Sequence, residues 1–437
     1  MSDARRLLVI TYHFGPDGPV GGHRWWGITK YLARLGWKVS VITAARSSRT
    51  DESIDVQVER CPRLWTCLDG IRLVRRLALG LALRGAPHGS PAAHASKPPG
   101  LLRQLAREGA AWLAFPDQGR GWMLRAALRT RSMIRDFRPH VVVSSGPPHS
   151  AHLVAGLATL GTSARWLIDL RDPWAGPLPK LWESDPILGS RIFHMLSPPM
   201  ERRALGAADG VITNTHQLAD TLAAKYPDVP VVCVPNGVDP ECLPPPARDP
   251  YPGLGIVHAG TLYAGRDVGP VVRALRIFFE RHPDAAQTGS KLRVAGEADA
   301  GHARAFFNAV AAAGMERYVE VLGPLPRAEA LNVVSRSRLA VVLAQQQELQ
   351  IPAKLYESVA MGIPTLVVAP AISATGVEGN RIGAVVRDSD DVEGIACLFE
   401  HFWRNGPPER SPCPVPITYG AIAPLVDTLL TTTLPPP

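Results

Sequence analysis

The residues that could do chemistry fall in short sets, each beside the end of an apolar run. Ile351-Pro352-Ala353-Lys354-Leu355-Tyr356-Glu357 puts a lysine in the first turn of a Pro-initiated helix, with a glutamate three residues later on the same face. A lysine there can neutralise a diphosphate, and a carboxylate can accept from the two hydroxyls of a ribose. The same spacing also suits a plain helix start whose first-turn acid complements the helix dipole. His258-Ala259-Gly260-Thr261-Leu262-Tyr263-Ala264-Gly265-Arg266 follows one strand and precedes a helix, so that Arg266, a permanent cation, could clamp phosphate oxygens. The third set, His13 to Gly22, is a glycine-rich loop opening on a helix, where Gly21 and Gly22 let backbone amides approach an anion. It is neither G-x-G-x-x-G nor a Walker loop, and read alone a simple turn accounts for it equally well.

Metal chemistry has little support. Asp388-Ser389-Asp390-Asp391 contains a D-x-D pattern, but it stands just before a helical stretch, where an aspartate cap is the simpler account. The thirteen histidines show no H-x-x-x-H or H-E-x-x-H spacing, and the six cysteines, at 61, 67, 233, 242, 397 and 413, form no C-x-x-C pair. Neither a metal site nor a disulfide framework is expected, and a reducing, cytoplasmic setting fits.

Positioning such sets requires an alternating α/β chain. Arg6–Tyr12, the helical spacing of Trp25–Leu35 and the run KVSVITA make a β-α-β opening. Strands are expected at His140–Ser144, Arg165–Asp169, Gly210–Thr213 and Val229–Val234, with helices between them. Leu243–Gly253 (LPPPARDPYPG) has five prolines and no apolar period, which marks a linker. Beyond it the pattern restarts with GIVHAG, KLRVAG, YVEVLG, RLAVVLA, PTLVVA and AVV. The expectation is two tandem Rossmann-like domains, 1–243 and 244–405, facing each other across a cleft, and a tail, 406–437, whose helix returns to the first domain. Ligands of such sheets lie beyond the carboxyl ends of the strands.

Composition narrows the class. The 437 residues are 46% hydrophobic and 20% charged, with 42 prolines and 39 glycines, which excludes disorder, collagen and coiled coil. The prolines in the longest uncharged stretches argue against a membrane span, and the first residues do not read as a secretory leader. Of a net charge of +8, residues 63–138 supply +10, from 14 Lys and Arg against four acids. Within this window Ile71–Leu83 reads as a basic amphipathic helix, either a core helix or an interfacial one. Such a segment suggests attraction to an anionic surface, lipid headgroups or an anionic acceptor, or a merely solvated face. No nucleic-acid reading motif accompanies it.

YHFGPDGPVGGHRWWGITKYLARLGWKVSVIT, PHVVVSSGPPHSAHLVA, DLRDPW, VPNGVD, HAGTLYAGRD and IPAKLYESVAMGIPTLV, in this order, resemble the nucleotide-sugar glycosyltransferases of the GT-B fold, of the family-4 type. The resemblance runs from about residue 7 to 400. It implies acceptor recognition in the first domain and donor recognition in the second, and metal-independent sugar transfer with retention of configuration, in glycoconjugate, polysaccharide or natural-product synthesis. The co-substrate would be a nucleoside-diphosphate sugar, with no further cofactor. The basic window at 63–138 lies in the acceptor half and favours a hydroxyl acceptor that is lipid-linked or anionic, reached by peripheral contact at the inner membrane face, with a soluble natural-product or oligosaccharide acceptor as the rival. Gly21, Gly22, Gly260 and Thr261 would then lie by the donor, Arg266 and Lys354 on its diphosphate and Glu357 on its ribose.

Two departures mark the chain. Many relatives have a glutamate eight residues before the one here numbered 357; this chain has Leu349 there, with Glu348 one residue off. Many also have His before Asp where this chain has Arg171 before Asp172. Asp172, Asp169 or His149 could orient the acceptor hydroxyl, while a strand-end carboxylate paired with Arg171 is the structural alternative for Asp172. An epimerase of the same fold and a non-catalytic sugar-nucleotide-binding subunit are the competing functions.

Overall fold

The computed structural model describes residues 5–16, 20–44, 55–66, 69–70, 101–176, 187–263, 265–298, 300–406, 413 and 415–432. The expected amphipathic helix at 71–83 lies outside the described residues, as do the side chains of half the cations in the basic window.

Two all-parallel sheets form. The first contains β1 (Arg6–Thr11), β2 (Lys38–Thr43), β3 (Val56–Arg60), β4 (Val141–Gly146), β5 (Arg165–Leu170), β6 (Gly210–Thr213) and β7 (Val231–Cys233), in the order β3-β2-β1-β4-β5-β6-β7. The second contains β8 (Gly255–Ala259), β9 (Lys291–Ala295), β10 (Val319–Gly323), β11 (Leu339–Leu343), β12 (Thr365–Val368) and β13 (Val385–Arg387), in the order β10-β9-β8-β11-β12-β13. Helices covering both faces require central strands that are apolar throughout rather than alternating, and Leu7–Ile10 and Leu339–Leu343 are buried at every position. Edge strand β3 (VQVER) is only half-buried and carries three polar residues, which is why no strand was expected there. The short helix Ala374–Arg381 was likewise not foreseen, because its ATGVEGNR sequence carries two glycines.

In both sheets the strand order reverses, between β1 and β4 and between β8 and β11. The loops leaving those neighbours diverge, and each sheet opens a crevice beyond its strand ends. The two crevices meet in one cleft of about 910 Å³ lined from both domains.

Helix α1 (His23–Arg34) sets one side of this cleft. Its Trp25, Ile28 and Leu32 pack on the first sheet with Leu7 and Val9. Lys30, buried, donates to Asp239 (2.7 Å) and Glu241 (2.6 Å), and Tyr31 to Asp239 (3.0 Å), which fixes the segment after β7. The final helix, Tyr419–Thr432, lies against α1 and adds Ile422, Val426 and Leu430 to the first domain's core. Any side chain at Gly27 would collide with the Tyr419 ring, so glycine permits this close crossing.

Candidate functional site

The second-domain wall of the cleft carries the cations. Gly260 ends β8 with φ of +153°, and a side chain there would run into Lys354 Nζ. Lys354 arrives from the first turn of helix Ala353–Ala360, started by Pro352. Its ammonium is buried and has no hydrogen-bond partner among the described residues. Burial, and then the Arg266 charge, hold its pKa well below the ordinary lysine value, with Glu357 pulling the other way. Arg266 stacks on the Tyr263 ring, 4.2 Å from guanidinium carbon to centroid, and its Nε is also buried without a partner. Gln347, itself buried, donates to the Tyr263 hydroxyl (2.9 Å) and so braces that platform. Glu357 lines the cleft, one oxygen accepting from Arg327 (2.6 Å).

Nearby His258 places Nδ1 2.9 Å from the Val341 carbonyl, which assigns the proton to that nitrogen and leaves Nε2 buried and unpartnered. Burial and the Lys354 charge keep this imidazole neutral. Two buried basic groups without hydrogen-bond partners among the described residues thus face one crevice, an arrangement that suits an anion.

The first-domain wall is arranged differently. Arg171, buried, donates through Nη1 to the Gly21 carbonyl (2.8 Å), through Nε to that of Gly146 (3.1 Å) and through Nη2 to that of Pro147. It thereby joins the glycine loop to the loop after β4, and a Cβ on Gly21 would stand 2.7 Å from Nη1. Gly22 is confined by the backbone of His13 and Phe14. A side chain at Gly21 would displace the Arg171 guanidinium, and one at Gly22 would press on the backbone of the loop. Gly21 lines the cleft and Gly22 ends the turn that starts α1.

Asp172 is not paired with Arg171, which gives its hydrogen bonds to carbonyls. The carboxylate reaches across the cleft and accepts from Gln350 Nε2 at 2.5 Å. Burial raises its pKa, opposed by the Arg171 charge and the Gln350 bond. Leu349, beside Gln350, packs against the first domain's core, and its carbonyl accepts from Thr215 Oγ1 (2.9 Å). The position eight before Glu357 thus serves as a contact between domains.

Asp169, the other carboxylate considered for the acceptor, lies outside the cleft. It is fully buried beneath the sheet end and accepts from Arg24 Nε (3.1 Å), Trp25 Nε1 (2.8 Å) and Ser145 Oγ (2.7 Å), a set that leaves it no route to a ligand. His149 does line the cleft, at the start of helix Ser150–Thr159, stacked on buried Trp174 with centroids 5.1 Å apart. Burial and the neighbouring His152 keep it neutral. Thr261 and Gly260 also line the cleft. Asp391 caps helix Val392–Asn405 through the Gly394 amide (2.9 Å) and pairs with Arg387. No group of three or more metal-ligating side chains occurs among the described residues.

Sequence reasoning missed Asp117, Gln118, His13, Tyr263, Arg327 and Gln350 as lining residues. Tyr263 and Gln350 sit inside or beside the sets already singled out, three residues before Arg266 and just before Ile351. Asp117 and Arg327 had no local signal for the cleft, since Ser150, which Asp117 reaches, and Glu357, which Arg327 reaches, are distant in sequence.

Residues 21–237 match the family model described as the glycosyl transferase 4-like domain, from the glycine loop to the turn after β7. No curated protein matches the sequence. Over the whole chain the fold is similar to that of sucrose-phosphate synthase from Thermosynechococcus elongatus, with TM-score 0.59, 13% identity and 98% of each chain covered. It is similar to Anabaena HepE in complex with UDP and glucose, with TM-score 0.56, 12% identity and coverage of 98% of this chain and 100% of that one. A Listeria monocytogenes protein to which UDP-N-acetylglucosamine 2-epimerase activity is ascribed gives TM-score 0.50, 12% identity and 99% coverage of both. The fold is GT-B, and the first half of the chain carries the signature of a glycosyltransferase domain.

Proposed function

We propose that this chain transfers a hexose-type sugar from a nucleoside diphosphate to a hydroxyl acceptor, with retention of configuration and without a divalent metal. The observation that carries the reading is the buried Lys354 amine, without a hydrogen-bond partner among the described residues, beside Arg266 on the wall where the second sheet's strands end. In the reaction the anomeric C–O bond breaks, its electron pair leaves with the diphosphate, and a bond forms from the acceptor oxygen to the anomeric carbon. Charge grows on the diphosphate, so fixed cations there bind the transition state more strongly than the ground state. Arg266 and Lys354 take that role, Glu357 holds the ribose, and Gly260 and Thr261 approach the donor. The proton of the acceptor hydroxyl goes to Asp172 or to the leaving phosphate oxygen.

Ligand-dependent melting tests the donor site. With UDP, GDP, dTDP, ADP and CDP, each with and without magnesium, one nucleotide is expected to raise Tm without metal, since a ligand that binds only the folded state stabilises it. Silence from all five would favour a non-catalytic subunit, and sugar interconversion without an acceptor would favour the epimerase.

A peripheral position at the cytoplasmic membrane face belongs to the same proposal. Among the described residues no helix is long and apolar enough to cross a membrane. Helix Arg120–Phe137 exposes Leu124 and Leu128 among exposed Arg125, Arg131 and Arg135, and Trp112 is exposed on the preceding helix. Flotation with anionic but not zwitterionic vesicles, weakening between 50 and 500 mM salt by roughly the loss that Debye screening dictates, is the expected result. Equal recovery with both vesicle types would remove the membrane from the proposal.

A further inference from the structure

The two walls of the cleft differ in charge, and the difference bears on the acceptor. In the first domain the position best suited to an anion is the N-terminus of helix Ser150–Thr159, which leaves β4 at the strand-order reversal. That position is already filled by the chain itself. Asp117 Oδ2 accepts from the Ser150 amide (2.8 Å), and Oδ1 from the Gly119 amide (2.8 Å). Both arginines on this wall are engaged: Arg171 on three carbonyls, and Arg24 on Asp169, the Val234 and Pro235 carbonyls and Asn236.

Two imidazoles on this wall, His13 and His149, supply no positive charge either. His13, within 3.5 Å of Gln118 Nε2, has its pKa pulled down to about 4 by burial and by Arg171, and His149 is neutral for the reasons given above. What the wall presents is the carboxylates of Asp117 and Asp172, with Asp239 already held by Lys30 and Tyr31, the amide of Gln118 and an apolar surface of Pro116, Pro147, Pro148, Ile187, Leu188 and Phe193. An anionic group entering here would meet carboxylate oxygens, with both arginines of the wall already committed to protein partners, whereas a hydroxyl would find acceptors and a ring face would find prolines.

We infer that the part of the acceptor entering this cleft is an uncharged, hydroxyl-bearing ring, such as a neutral sugar or glycoside, and that phosphorylated or otherwise anionic acceptors are rejected by the first-domain wall. The inference rests on the transferase reading and narrows it: an anionic or lipid-bearing portion of the acceptor would have to stay outside the cleft.

The test uses the full chain, saturated with whichever nucleotide the melting panel selects, so failure of the donor site is recorded before the acceptor is examined. Matched probes are then compared in melting and transfer: methyl glucoside against glucose 6-phosphate, and N-acetylglucosamine against its 6-phosphate. At least one neutral member is expected to bind or be glycosylated, with its phosphorylated counterpart weaker by about tenfold or more, as like-charge contact demands. A phosphorylated member that works as well as or better than its partner, or silence from every neutral member, would overturn the inference. Asp117→Asn, which keeps one acceptor oxygen while removing the charge, gives an independent reading. With nucleotide bound, inorganic phosphate should stabilise this variant and leave the parent chain unaffected; equal responses would mean that Asp117 does not exclude anions.

Discussion

Replacing Lys354 with Met should make the ligand-free protein more stable and nearly inactive. The ammonium is buried beside another cation and has no described hydrogen-bond partner, so the folded state carries a desolvation cost that nothing nearby offsets. Methionine keeps the length and removes the charge. An apolar group of similar length removes that desolvation cost, and Tm without ligand should rise accordingly. The same change removes one of the two charges offered to the leaving diphosphate, and kcat/KM should fall by about 10²–10³, the usual loss for one preorganised group. Nucleotide-induced stabilisation should shrink in parallel. A variant that melted lower but kept its kcat/KM would show Lys354 to be a packing residue and would remove the site's main support.

The second large effect separates two carboxylates three residues apart. Asp169→Ala leaves the Arg24 guanidinium buried without its counter-charge and orphans the Trp25 indole and the Ser145 hydroxyl. Breaking a buried pair from one side costs about 3–5 kcal/mol, so this variant should unfold at much lower denaturant or fail to accumulate. Asp172→Asn keeps the shape of a group that faces the cleft. It should fold with a denaturant midpoint near that of the parent, while kcat drops by about 10² or more if the carboxylate takes the acceptor proton. Burial raises the Asp172 pKa, so the acid limb of the parent's kcat profile should lie above the ordinary carboxylate range and vanish in the variant. If Asp172→Asn kept full kcat, the proton would have to go to the leaving phosphate alone.

Much of this architecture was legible because parallel strands covered on both faces must be apolar runs. RLLVIT, VVVSS and LAVVL announce themselves, and the proline-rich break at 243–253 separates two repeats of one pattern. Strand β3 escaped because an edge position tolerates VQVER. Lys354, Arg266 and Glu357 could be picked out since each stands near a strand end inside a short contiguous set, and the structure brings the three to one wall. Asp169 and Asp172 could not be told apart, because alternation along DLRD says only that the two differ in direction. Which one is sealed from the cleft depends on Arg24, some 145 residues from Asp169. The roles of Arg171 and Asp117 were hidden for the same reason, since Arg171 bonds to the backbone of Gly21 and Gly146 and Asp117 to that of Ser150.

The return of helix Tyr419–Thr432 to the first domain has a mechanical consequence. The chain passes between the two lobes twice, once after β7 and again before Tyr419, and the passages run side by side where Val238 bonds to Ile417 and Tyr419. Two adjacent tethers act as the leaves of a door hinge: they leave one easy axis of rotation and resist twisting. Opening and shutting of the crevice should therefore follow a single arc that carries Lys354 toward or away from Asp172, so that nucleotide and acceptor are brought together by one coordinate rather than by independent motions.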